Sequence, residues 1–220
     1  ICITEDYYMI TAYNTDDSES LGALYIFDKE TGEYMVTLGM KKNSHLGGLT
    51  YDGRNVWICH SDTRSLERLS YSYIKKIAES KPKIFVDATG MFEEYRVANM
   101  PSCITWHDGI LWVATHNALF KSIMISYKYQ DGKLMEQQRY QIPEKVQGIA
   151  FDEQDRVYLS TSYGRSNSSY LKIYQNVDAM DTKPRAPELK VEMPPCSEEI
   201  NYADGNIYVL FESASSKYFE

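Results

Sequence analysis

Aliphatic and aromatic residues recur along this chain in short alternating runs broken by polar turns, and five of the runs align. They are "ICITEDYYMI" (Ile1–Ile10), "LTYDGRNVWI" (Leu49–Ile58), "ITWHDGILWV" (Ile104–Val113), "IAFDEQDRVYL" (Ile149–Leu159) and "INYADGNIYV" (Ile200–Val209). Each opens on an aliphatic residue, places an apolar or aromatic one two positions later, crosses a polar turn and starts a second apolar run. Period-two alternation is the pattern of a half-buried strand, so each segment predicts a β-hairpin. The aligned second-strand position falls eight residues after the first aliphatic at Met9, Trp57, Trp112 and Tyr208. It falls nine after it at Tyr158, where the turn is one residue longer.

The segments start 48, 55, 45 and 51 residues apart. A hairpin opening each unit at that spacing is the signature of a propeller built from four-stranded blades. Further strands fill the units. "GALYIFD" and "EYMVTL" flank a "KETG" turn, "SIMISYKY" and "LMEQQRYQI" flank the Asp-Gly signal "QDGK", and "YLKIYQ" precedes "ELKVEM". The second unit is irregular, with helical spacing in "SYSYIKKIAESKP" before "KIFVDA". The expectation is an all-β fold, a single β-propeller domain over 1–220 with about five four-stranded blades, the last one incomplete. The blades fall near 1–44, 45–100, 101–144, 145–195 and 196–220, with a short helical insertion near 72–80. A β-sandwich is the alternative, disfavoured by five aligned hairpins at one period.

Composition narrows the partners. With 43 % hydrophobic and 25 % charged residues the chain suits a globular core, and its 19 Tyr favour strands. A net charge of −8 without a long Lys/Arg cluster argues against nucleic acid. No apolar run approaches the roughly 18 residues of a membrane span. Cys2, Cys59, Cys103 and Cys196 are far apart and lack disulfide-scaffold or zinc-ribbon spacing, so they read as buried thiols.

The motifs "HLGGLTYDG" (His45–Gly53), "VQGIAFDEQDRVYLSTSYGRSNSSYLKIY" (Val146–Tyr174) and "CSEEINYADGNIYVLFESASSKY" (Cys196–Tyr218) resemble a family of uncharacterised, secreted bacterial β-propellers. The resemblance covers most of the chain and is weakest over Arg64–Met100. It implies a secreted or cell-surface setting and carries no established activity. In that family a Pro-Gln-Gly opens the first unit and a further strand follows "KY", so this sequence is expected to be truncated at both ends. More distantly the chain is similar to gluconolactonase-type propellers, which hold a divalent metal in the channel, but their Asn-Asp ligand segment has no counterpart here.

Propeller geometry turns sequence position into location. Residues just before a blade's first strand and just after its second gather at one mouth of the channel, because the two strands are antiparallel. Before first strands lie His45, Gly47, Gly48, Ser102, Cys103, Gln147, Gly148, Glu198 and Glu199. After second strands lie Asn14, His60, Asp62, His116, Asn117, Tyr163 to Asn167, Glu212 and Ser213. His107, in the "WHDG" turn, falls on the far face as a solvated residue. From the mouth set the candidate ligand-binding residues are His45, His60, His116, Gln147, Tyr163, Arg165, Asn167, Glu198 and Glu199. Polar groups in a narrow channel must be paired or bind something. Structural water with mutual hydrogen bonds, a divalent cation or an organic ligand would each satisfy them. The cation would sit on Glu199, His45 and Gln147, calcium with oxygen ligands alone and zinc with His nitrogen added.

Adjacent strand residues point to opposite faces, so Glu198 and Glu199 do not form a close carboxylate dyad, and Glu199 is the one expected in the channel. G-x-S-x-G, H-E-x-x-H and Gly-rich phosphate loops are absent. Cys103 with His116 is the one conceivable nucleophile pair. Trp57, Trp112, Tyr158 and Tyr208 stand at equivalent positions, which suits packing between blades better than a sugar platform. The loop "STSYGRSNSSY" (Ser160–Tyr170) lies on the rim, either as a solvated connector or as a contact loop through Arg165. The balance favours an extracellular or cell-surface binding propeller that takes a glycan, peptide or small molecule at the mouth. The alternative is a metal-dependent hydrolase of lactonase or esterase type with a cation in the channel.

Overall fold

The computed structural model describes residues 1–13, 20–42, 45–80, 84–181 and 186–212. The first blade is an antiparallel meander of β1 (Cys2–Ile3), β2 (Tyr7–Ala12), β3 (Leu21–Asp28) and β4 (Tyr34–Lys42). The second has β5 (Leu49–Tyr51), β6 (Asn55–His60) and β7 (Ser65–Ser70). There the chain passes through helix α1 (Tyr71–Ser80) and β8 (Ile84–Asp87) before β9 (Glu93–Arg96) completes the blade. The third blade holds β10 (Cys103–His107), β11 (Ile110–Ala114), β12 (Ser122–Gln130) and β13 (Lys133–Ile142). The fourth holds β14 (Val146–Phe151), β15 (Val157–Thr161) and β16 (Ser169–Tyr174), then the one-turn helix α2 (Val177–Asp181) and β17 (Leu189–Met193). A last hairpin is formed by β18 (Ser197–Ala203) and β19 (Asn206–Phe211).

The structure has four blades, which corrects the expectation of about five. The sequence repeat marks inner hairpins, and the fifth unit contributes only such a hairpin among the described residues. That hairpin nevertheless closes the ring. The inner strands β1, β5, β10, β14 and β18 each pack on the next, and β18 packs back on β1. A second difference concerns "KIFVDA". Its strand β8 does not join the second blade but pairs parallel to β4 on the outer edge of the first. A parallel partner needs a long crossover, and the second blade with α1 supplies it. Helix α1 buries Tyr71, Ile74 and Ala78, which lie on one face by their spacing of three and four, and packs on β4, β6 and β7.

The turn chemistry explains why the repeat is visible at all. Asp108–Gly109, Asp131–Gly132 and Asp204–Gly205 all have both residues at positive φ, the requirement of the tight hairpin turns that match strand twist. In two other units the turn aspartate does more. Asp52 accepts the Arg54 and Asn55 N–H groups and the Trp57 indole N–H at 2.7 Å. Buried Asp152 likewise accepts the Gln154 and Arg156 N–H groups and the Tyr158 hydroxyl at 2.9 Å. In these two units the turn carboxylate is coupled to the aromatic side chain that packs toward the neighbouring blade.

The core is a set of apolar layers between blades. Val36, Leu38, Val56 and Ile58 fill the first interface, and Trp57, Leu66, Leu111 and Ile125 the second. Met124, Leu159 and Tyr174 fill the third, and Ala150, Tyr158 and Ile200 seat the last hairpin. Each fully buried Leu or Ile contributes roughly 1.5–3 kcal/mol. His107, expected to be solvated, is instead stacked on Phe151 at 4.6 Å between centroids and 2.7 Å from Asp155. It joins the third and fourth blades on the far face.

Candidate ligand site at the channel mouth

The chain bends out of regular pairing where the mouth begins. Register shifts lie between Val146 and Gly148 and between Ser197 and Ile200, and such bulges re-aim side chains. Here they send Gln147 and Glu198 to the rim and turn Glu199 inward.

Glu199 is 2 % exposed. Its Oε1 accepts the N–H groups of Ile149 at 3.2 Å and Ile200 at 3.1 Å, and its Oε2 accepts that of Ile104 at 3.2 Å. One carboxyl thus ties together β10, β14 and β18. Burial pushes its pKa up to about 8, against the pull of the three N–H donors toward the charged form. The wall around it is tight. A Cβ on Gly48 would lie 2.2 Å from Glu199 Oε2 and 2.8 Å from Cys103 Cα, and one on Gly148 would lie 2.6 Å from Ile200 N. These two glycines stand at the mouth because the inner strands meet backbone to backbone there.

Above this level the polar groups face one another. Gln147 Nε2 donates to Glu198 Oε1 at 3.4 Å. Burial, then repulsion from Glu212, raises Glu198 to about 7. Arg165 reaches Glu212 at 3.6 Å across the rim. The His45 N–H donates to Asp62 at 3.0 Å, and the His45 ring lies 4.9 Å from that of Tyr13. Burial lifts the Tyr13 hydroxyl, and Glu198, Glu212 and Asp62 lift it further. Desolvation lowers the His45 imidazole, opposed by the nearby Asp62 carboxylate. His116 Nδ1 lies 3.1 Å from the Val146 carbonyl. A carbonyl only accepts, so Nδ1 carries the hydrogen.

The structure therefore brings together Glu198, Gln147, His45, His116 and Arg165, and it adds Tyr13, Asp62 and Glu212. His60 is elsewhere. It is 1 % exposed, on the β6 face it shares with Ile58, and 3.0 Å from the equally buried Glu67. Tyr163 and Asn167 line a cavity on the side of the fourth blade. In the loop that carries them, Ser160, Ser162 and Ser169 are buried. Ser160 shares a hydrogen bond with Ser197 at 2.8 Å, and Ser169 accepts the Ser197 N–H at 3.1 Å. The ends of "STSYGRSNSSY" are thus a structural seam to the last hairpin, and only its middle is free to touch a ligand. Asn14 and Ser213 lie outside the described residues. Tyr13 was the residue the sequence reading missed, although its position just after a second strand obeys the same placement rule.

Cys103 is fully buried, and burial pushes its thiol well above the ordinary range, the reverse of what a nucleophile needs. Of the three residues considered for a cation, Glu199 is engaged by backbone donors, Gln147 by Glu198, and His45 by Asp62 through its backbone. No group of three or more His, Cys, Asp or Glu side chains able to hold a metal is present among the described residues.

The fold is that of a β-propeller. Among solved structures, Myxococcus xanthus glutaminyl cyclase is similar with a TM-score of 0.59 and 10 % identity, over 94 % of this chain and 91 % of that one. Kuenenia stuttgartiensis hydrazine synthase is similar over 81 % of this chain (TM-score 0.45, 10 % identity), and U3-55K over 88 % (TM-score 0.46, 9 % identity). This chain spans 45 % and 56 % of those two. No protein-family model and no curated protein matches the sequence. No helix among the described residues is long and apolar enough to cross a membrane.

Proposed function

We propose that the protein is a binding propeller whose mouth takes a small polar ligand presenting hydrogen-bond donors, above all the amine of a peptide or small molecule. The observation that carries this reading is the gathering of polar groups at the mouth, with Gln147 on Glu198, His45 joining Asp62 to the Tyr13 ring, and Glu198, Glu212 and Asp62 all within electrostatic reach of the Tyr13 hydroxyl. Carboxylates held together around an aromatic ring favour an ammonium group, by ion pairing and by attraction to the ring face. The raised Glu198 matters for pH. Its carboxylate forms only as pH rises through about 7, so amine capture should strengthen across that range. We extend the proposal to an extracellular or cell-surface setting on the motif resemblance alone.

Calorimetry with a tripeptide bearing a free N-terminus, against the same tripeptide acetylated, tests it. The free peptide should bind about tenfold or more tightly, and Glu198→Gln should erase the difference. Arg165→Ala should change affinity with Tm held, because an ion pair this exposed contributes about 0–1 kcal/mol. Equal binding of the two peptides, or none, would overturn the reading.

A second reading is catalytic. Glu198, poised near neutrality, suits proton transfer, and the fold is shared with a glutaminyl cyclase. Incubation with a peptide beginning in glutamine, read by mass for loss of ammonia, separates the two. Turnover that Glu198→Gln abolishes supports catalysis, and a bound but unchanged peptide supports binding alone.

A further inference from the structure

The side of the fourth blade carries a cavity of about 570 Å³ that differs in chemistry from the acidic mouth. Its size lies within the range of small-molecule sites, roughly 300–1,000 Å³. Three ammonium groups line it, from Lys145, Lys172 and Lys190, against the one lining carboxylate of Glu144. This is a local positive excess in a chain of net charge −8.

The arrangement is unfavourable when empty. Lys172 and Lys190 are direct partners across the β16–β17 pair, and like charges directly opposite destabilise a sheet. Lys172 is partly buried, and desolvation lowers its ammonium pKa, with Lys190 and Lys145 adding to the effect and Glu144 opposing it. None of the three lysines forms an ion pair with a described carboxylate. Glu192, two residues beyond Lys190 on β17, is engaged by the Ser168 hydroxyl at 2.5 Å.

The backbone is also bent to this purpose. Lys145 has φ 67°, a conformation uncommon for a residue with a side chain. It is pinned there by its N–H to Asn117 O at 2.7 Å and its carbonyl to Ser162 N–H at 2.9 Å. The result sets its ammonium 4.9 Å from the centre of the Tyr163 ring, while that of Lys190 lies 3.7 Å from the Tyr170 ring. Both rings line the cavity, and the Asn167 amide, which gives one N–H to the Tyr163 carbonyl at 2.9 Å, keeps a second at its wall.

We infer that this cavity is a binding site for a small molecule carrying a tetrahedral oxyanion ester, a phosphate or sulfate monoester. The lysines face the anion, the remaining Asn167 amide N–H adds a neutral hydrogen bond, and the tyrosines flank the organic part. The site is separate from the mouth and does not depend on the function proposed for it.

Calorimetry and thermal unfolding with inorganic phosphate, glucose 6-phosphate and a sulfated disaccharide test the inference. One ester should bind more tightly than inorganic phosphate and raise Tm, and which one does so identifies the source. Lys172→Met should weaken that binding by about tenfold or more. Lys190→Gln, at an exposed position that does not endanger folding, should do the same. Without ligand, Lys190→Gln should hold or raise Tm, since it relieves a like-charge pair. Absence of binding by all three probes, or equal binding by wild type and both variants, would overturn the assignment.

Discussion

Glu199 shows how a residue that looks like a ligand can be a tie. Its carboxyl is expected in the channel by position, and there it is spent on backbone N–H groups of three strands. Its folded pKa of about 8 lies above the ordinary 4.5. The stability it contributes is therefore fully present below pH 4.5 and is lost as pH rises through about 8. The slope is at most about 1.4 kcal/mol per pH unit for one group. Glu199→Gln should flatten most of that slope, leaving the part due to Glu198. It should also lower stability at pH 5 by about 1–3 kcal/mol, since an amide NH2 would face a backbone donor. Denaturant titrations at pH 5, 6.5 and 8 check both. A variant with the wild-type slope would show that Glu199 is not the titrating group.

At the scale of elements, the inner strands are packed closely enough to dictate residue size. The Gly48 position faces both Glu199 and the backbone of β10, so Gly48→Ala must push two strands apart. Overpacking of this kind costs typically about 1–3 kcal/mol, and here the neighbours are partly backbone. A clear fall in Tm is expected for Gly48→Ala. Gly53→Ala, at a turn glycine of positive φ with open space around it, should also lose stability, but through backbone strain. A double-mutant cycle of Gly48→Ala with Glu199→Ala separates the causes: the second change restores room at the Oε2 contact, so the double variant should lose less stability than the sum of the two single losses, whereas Gly53→Ala with Glu199→Ala should be additive. The hairpins themselves were legible in the sequence, because Asp-Gly turns and period-two runs are local. The destination of β8 was not, since nothing in "KIFVDA" says which blade's edge lies beside it. Tyr13 shows the same divide, with its position readable and its carboxylate neighbours supplied by the fold.

At the scale of the whole molecule, closure is carried by two strands. The β18–β19 hairpin packs between β14 and β1 and covers Ala150 and Tyr158 with Ile200. A chain ended at Pro195 should lose cooperative unfolding and bind a hydrophobic dye, as an opened ring exposes those inner faces. Cooperative unfolding at an unchanged Tm would show that the four blades are sufficient alone. The sequence by itself determined the repeat, the all-β class, the mouth as a place and most of the residues near it, because turn chemistry and alternation act within ten residues. Only the tertiary structure decided how many blades are complete. It alone showed that His60 and Glu199 are buried in pairing while Glu198 meets solvent, and that Lys145, Lys172 and Lys190 share one cavity. Burial and charge proximity are properties of packed surfaces, and the chain acquires them when its blades meet.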